Sequence, residues 1–136
     1  MAETLKLEIV TPDGTVYSED VEMVTLPGVE GQMGIYPRHV PLMTQMVPGE
    51  ISVRKSGVDY YLATGEGLIE VTGDHVAILT DMAIPAEHID EAKVEEARQR
   101  AEARLQEKLS DEEVASTNAS MARSLAQLHV KRRHKR

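Results

Sequence analysis

The chain has no cysteine, no tryptophan and no phenylalanine among its 136 residues. Without cysteine there are no disulfides, no thiolate metal sites and no cysteine nucleophile. The only aromatics are Tyr17, Tyr36, Tyr60 and Tyr61. A base-stacking platform for nucleic acid therefore has almost nothing to be built from, and any core must be made of Val, Ile, Leu, Met and Ala. Long apolar runs are also missing. The longest uncharged stretch, residues 39–49, is broken by Pro41 and Pro48 and is far short of the roughly 20 residues a helical membrane span needs. The opening "MAETLKLEIV" lacks the basic start and apolar block of a secretory signal, so the protein is expected to stay in the compartment where it is made.

What is present falls into two unlike parts. The formal net charge is −8. Residues 1–85 carry 13 acids and 4 bases, residues 86–136 carry 10 acids and 11 bases, and much of that basic character sits in the closing "KRRHKR". A charge asymmetry of this kind points to two parts with different partners.

The first part reads as β. In "TLKLEIVTPDG" Leu5, Leu7 and Ile9 alternate with Lys6 and Glu8, the period-2 pattern of a half-buried strand, and Pro12 and Gly14 suit a turn. "TVYSEDVEMVTL" supplies more strand-forming residues. "ISVRKSGVDYYLA" reads as a hairpin turning at "KSG", and "GLIEVTGDHVAILTD" as another turning at "TGD". Short strands with frequent turns and no helical period predict a sandwich or a barrel. The pattern changes at Pro85. Residues 86–109 are rich in helix formers, with Val94, Ala97, Ala101, Leu105 and Leu109 on one stripe. Ser110 or Asp111 is placed to cap a second helix over about residues 112–130. Its face carries Ala115, Ala119, Ala122 and Ala126 beside Val114, Met121, Leu125 and Leu128. The two helices are expected to form an antiparallel hairpin. An alanine seam buries little area, so at ~25 cal/mol per Å² the hairpin would dock reversibly; an ordinary solvated hairpin fits the pattern equally well.

No chemistry-bearing constellation emerges. Gly28, Gly31 and Gly34 stand at G-x-x-G-x-x-G, which is neither a dinucleotide loop nor a phosphate loop. They read as a turn-rich crossover using positive φ at glycine, or as a docking loop with Val29 and Met33 displayed at its tip. The five histidines have no i, i+4 pair and no completing carboxylate set, and they read mostly as surface residues. There is no G-x-S-x-G and no triad. No catalytic residue, metal or cofactor is expected. The tail, residues 131–136, could meet nucleic acid, phosphates or an acidic protein, or simply be solvated.

"LPGVEGQMGIYPRHVPLMTQMVPGEISV", "GEGLIEVTGDHVAILTDMAI", "IDEAKVEEARQRAEARL" and "LAQLHV" resemble, in order and over nearly the whole chain, the epsilon subunits of bacterial F-type ATP synthases. The resemblance implies an α+β fold: an N-terminal β-sandwich of about ten strands over residues 1–85, then an antiparallel two-helix hairpin over 86–136. It implies a non-catalytic rotor subunit of the central stalk, on the cytoplasmic face of the bacterial inner membrane. Its partners would be the gamma subunit, the c-subunit ring, and the beta and alpha subunits. Val29, Glu30, Gln32 and Met33 would touch the c ring. In such subunits the hairpin lies on the sandwich or extends beside gamma and blocks hydrolysis. Arg123, Lys131, Arg132 and Arg133 would then meet an acidic loop of beta. Some relatives bind ATP through Ile/Leu-Asp-x-x-Arg-Ala; here Asp90 is kept while Lys93 and Val94 replace Arg and Ala, and Arg100 matches a further basic position. Lysine lacks arginine's bidentate fork, so weak nucleotide binding is expected. A free-standing adaptor using its basic tail, or a small nucleotide sensor, are the rival readings.

Overall fold

Leu5, Leu7 and Ile9 are fully buried, while Lys6, Glu8 and Val10 between them are half exposed. This alternation sets the first strand of a computed structural model that describes residues 3–134. Ten strands follow one another: β1 (Leu5–Thr11), β2 (Gly14–Val21), β3 (Met23–Gly28), β4 (Gly31–Ile35), β5 (Leu42–Met46), β6 (Gly49–Lys55), β7 (Val58–Thr64), β8 (Gly67–Thr72), β9 (His75–Thr80) and β10 (Ala83–Pro85). They are hydrogen-bonded in the order β10-β7-β6-β3-β5-β8-β9-β1-β2, with β4 on β3. Among the described residues only β1 and β9 run parallel.

This sheet folds over on itself into a sandwich. β3 and β5 are in register at one pair only, Gly28 with Met46, flanked by backbone bonds from Val29 to Gln45 and from Val47 to Pro27, and that is where one layer gives way to the other. Inward side chains of β1, β3, β6, β8 and β9 meet between the layers: Leu7 and Ile9, Val24 and Leu26, Ile51 and Val53, Ile69 and Val71, Val76 and Ile78. With no large aromatic except the partly buried Tyr17 against it, the core is filled by branched aliphatics, which suit pleated surfaces. Lys55 on β6 and Glu19 on β2 form an ion pair across the two layers. The "KSG" hairpin turns through Ser56 (φ 52°) and Gly57 (φ 76°), the mirror-image turn whose twist matches that of its strands. Gly67 is fixed by crowding instead: a β-carbon there would run into the carbonyl oxygen of Leu79.

After Pro85 a 3-10 turn (Ala86–His88) leads to α1 (Glu91–Arg104), and α2 spans Asp111–Arg133. The first helix is shorter at both ends than its composition predicts. At its start the Asp90 side chain accepts from the Lys93 N–H, so Asp90 is the cap and residues 86–89 lie outside. At its end the N–H groups of Gln106 and Glu107 bond three residues back, to Ala103 and Arg104, tightening the last turn. Ser110 caps α2 in a reciprocal pair with Glu113. α2 runs on to Arg133, with Lys131, Arg132 and Arg133 in its last turn, where cations oppose the helix dipole favourably.

Arg104 pairs with Glu113 beside the turn, and Arg132 pairs with Glu91 and Glu95 at the far end. Pairs at both ends make the helices antiparallel, as predicted. Ala101 of α1 and Thr117, Ser124, Ala126, Leu128 and Val130 of α2 are buried, so small side chains and two larger aliphatics share the covered faces of the hairpin. Ala115, by contrast, is exposed near the turn. The far end of the hairpin rests on β6 and β7. There Val130 and Ile89 cover Ala63, with Tyr61, Ile84, Ala86 and Val94 around them.

Candidate functional site: the sandwich tip and the docked hairpin

Two surfaces gather the residues singled out by the sequence. The first is the tip of the β3–β4 hairpin. Gly28 pairs with Gly31 across the two-residue turn Val29–Glu30, and Val29 donates its N–H to Gln45 O at 3.0 Å. Val29 is 52% exposed, and Glu30 and Gln32 also face solvent. Met33 does not. It is turned inward and packs against the main core, because β4 alternates and Met33 shares its inward phase with buried Ile35. The glycines also differ from expectation. Only Gly31 has a positive φ, at 127°. Gly28 and Gly34 lie in paired strands where a β-carbon would crowd Gly31 O and the Met33 side chain, or the Met23 methyl.

The second surface is the contact between hairpin and sandwich, where every cation expected to meet an acidic partner is already engaged. Arg123 reaches Asp81 at 3.0 Å. Lys131 donates to the Ala86 carbonyl at 3.3 Å. Arg132 bonds Glu91 at 2.9 Å and Glu95 at 3.3 Å. Arg133 bonds Glu50 Oε2 at 3.4 Å, and His134 Nε2 pairs with Glu50 Oε1. The His134 ring lies flat on Tyr61, with centroids 3.5 Å apart and planes 8° from parallel. The end of α2 is thus tied down although Arg132 and Arg133 stay more than half exposed, and His134 is a contact residue rather than a surface one. Lys135 and Arg136, the rest of the basic tail, lie outside the described residues.

Along α1, Arg98 bridges Glu95 and Glu102 at 2.7 Å each. Its guanidinium holds the Glu95 carboxyl below the usual range, with a smaller contribution from Arg132. Of the candidate nucleotide residues Asp90 and Lys93 meet at the start of α1, but Arg100 is not brought to them. Asp90 caps α1, Lys93 is exposed one turn on, and Arg100 lines a separate cleft near the hairpin turn with Arg104, Glu112 and Ser116. Among the described residues no group of three or more His, Asp or Glu is placed to hold a metal, and no helix is long and apolar enough to cross a membrane.

Sequence reasoning missed Glu50, Asp81 and Tyr61. Their partners lie far away in the chain, and no local pattern announces such pairs.

The sandwich and the hairpin each match one half of a single family description. Residues 4–86 match the β-sandwich domain of the ATP synthase delta/epsilon chain, and residues 87–132 match its long α-helix domain. The chain belongs to the ATP synthase delta/epsilon family. Relatives in this family include an ATP synthase epsilon chain of Syntrophotalea carbinolica, 43% identical with 96% of this chain and 95% of the relative covered. The epsilon chain of Herpetosiphon aurantiacus is 42% identical, with 93% of each chain covered. The fold is also similar to a chain in the mitochondrial ATP synthase of Euglena gracilis, at a TM-score of 0.75 and 23% identity over 93% of this chain and 79% of that one. The β-sandwich and long α-helix domains of that family correspond to the ten strands and two helices described above.

Proposed function

We propose that this chain is a non-catalytic subunit of the central stalk of a proton-translocating F-type ATP synthase, in which residues 1–85 couple rotation and residues 86–136 restrain ATP hydrolysis. Family membership supports the place in the machine. The observation that carries the regulatory half is that the hairpin is held to the sandwich by a small apolar cluster and a few ion pairs. Such an interface can open without disturbing the sandwich core.

The sandwich offers two further surfaces that the hairpin leaves uncovered. One is the tip, where Val29, Glu30 and Gln32 would bear on the polar loops of the c ring, with Met33 anchoring the tip from inside. The other is the outer face of β5, β8 and β9, where Met43 is 62% and Leu79 54% exposed, and where Leu68 pairs with Leu79. An apolar strip on an uncovered face suits a permanent partner, and the gamma subunit fits it. In the extended form, Arg123, Lys131, Arg132 and Arg133 would face an acidic loop of the beta subunit, close to alpha. The subunit would sit on the cytoplasmic face of the bacterial inner membrane, held there only through the complex. Its α2, at ~1.5 Å per residue, is about 34 Å long, enough to reach well beyond the sandwich.

Truncation after Ala86 tests this reading, because it removes both long helices and no strand. The sandwich should fold and the complex assemble with gamma. Hydrolysis should rise while proton-driven synthesis persists. Unchanged hydrolysis in a complex shown to be inhibited when intact, or loss of assembly, would overturn it. An adaptor working alone would not copurify in stoichiometric amounts with the other subunits.

A further inference from the structure

The cations of α2 are not all held in the same way. Arg132 is bound by Glu91 and Glu95 of α1, so those pairs travel with the hairpin when it moves as a unit. Arg123, Arg133 and His134 are bound by Asp81 and Glu50 of the sandwich, and these pairs must break when the hairpin leaves. Glu50 is unlike the other acids here. Its side chain is only 9% exposed, whereas Asp81 is 35% exposed. It receives two partners at once, one on each oxygen, and one of those partners is stacked on Tyr61 of the neighbouring strand.

We propose that Glu50 is the seat that keeps the hairpin docked, and that it does so by occupying the very groups an acidic partner would take. This rests on the inhibitory reading given above and deepens it. Arg133 and His134 cannot stay on Glu50 once the hairpin has left the sandwich, so binding Glu50 and binding an acidic loop from the extended form are mutually exclusive uses of those groups. The sandwich, with 13 acids and 4 bases in residues 1–85, then imitates the acidic partner within the same chain. Glu50 sets the fraction of hairpins that are free to extend, because a ligand acts on a two-state element only through the population that can bind it. The Glu50 carboxylate is largely buried with a partner on each oxygen, so losing both partners leaves a poorly solvated acceptor unpaired, which costs more than breaking an exposed pair. Asp81, with one partner and more solvent, plays the lesser part.

The chain's lack of thiols supplies the reporter. Ala63 is fully buried beneath Val130 and Ile89, so in an Ala63→Cys chain the labelling rate reports how often the hairpin lifts. In the full-length chain, Glu50→Gln should accelerate labelling about tenfold and Asp81→Asn by less. Glu8→Gln, which breaks only the remote pair with His75, should change nothing. Arg133→Gln combined with His134→Gln should match Glu50→Gln, and adding Glu50→Gln to that pair should have little further effect, since groups in one network are not additive. In the assembled synthase Glu50→Gln should lower ATP hydrolysis several-fold, opposite in sign to neutralising the cations themselves. Unchanged labelling in Glu50→Gln would overturn the proposal, as would full additivity with the Arg133 and His134 changes. Faster labelling with unchanged hydrolysis would uphold Glu50 as the seat and overturn the inhibitory reading on which its role depends. A thermal melt of Glu50→Gln matching the parent's keeps a folding defect from imitating release.

Discussion

Val130 is the keystone of hairpin docking, and replacing it by alanine should free the hairpin while leaving the sandwich intact. The side chain is 0% exposed and packs with Ala63 and Ile89. Val130→Ala deletes two carbons. At ~0.8 kcal/mol per buried carbon the transfer loss is about 1.6 kcal/mol, and the unfilled space raises the total to about 2 kcal/mol. Since 1.4 kcal/mol is a factor of ten, the docked-to-free ratio should fall about thirtyfold. In the Ala63→Cys chain, labelling of the introduced thiol should accelerate by that factor. A thiol introduced instead at Ile51, which belongs to the main core cluster and not to the one beneath the hairpin, should react at its former rate, because local opening and global unfolding draw on different contacts. Equal acceleration at both positions would mean that hairpin and sandwich open as one unit. No acceleration at position 63 would mean that Val130 does not hold the hairpin down. Either result refutes the idea of a separately releasable element.

Cysteines at Glu30 or Gln32 should cross-link to loop cysteines of a c ring, and failure of both with gamma bound would count against the tip as the foot. Calorimetry should find ATP binding to the native chain weaker than to a Lys93→Arg, Val94→Ala variant; equal affinity would discard the argument from lysine's missing fork. Tyr17 should ionise above the usual range of a tyrosine phenol. Burial first, then the neighbouring Glu19 charge and hydrogen bond, push its phenol from 10.0 up to about 12. A raised folded-state value means that the proton is held more tightly in the native chain. Its contribution is therefore intact below about pH 10 and is lost as pH climbs through about 12. Tyr17→Phe should flatten that loss in an alkaline denaturation series, and an unchanged slope would exclude Tyr17 as its source.

Much of the fold is legible because the residues that determine it are close together in the chain. Leu5, Leu7 and Ile9 declare a strand among themselves, and Ser56–Gly57 declares a turn. Ser110 with Glu113 declares a helix start within four residues. The structure departs from expectation where one local pattern carries two meanings. Met33 belongs to a glycine-rich tip, but it also shares the phase of Ile35, and the alternation of β4 turns it inward. Asp90 belongs to a ligand-like motif, but its position also suits a helix cap, and the cap is what shortens α1. The seat of the hairpin is not legible at all. Arg133 and His134 are separated from Glu50 by 83 and 84 positions, and nothing in either segment encodes the other.

The two-residue tip between β3 and β4 has a mechanical consequence. β3 is paired along its length with β4 and, near its start, with β6, while Val29 and Val47 tie the tip to the β5 side through backbone bonds to Gln45 and Pro27. A force applied sideways at Val29 or Glu30 is therefore loaded onto several short ladders in parallel, and there is no slack loop to absorb it. Such a tip behaves as a rigid tooth. If it meshes with a turning ring, elastic energy is stored in whatever the sandwich is bolted to, and the compliance of the transmission has to be sought there.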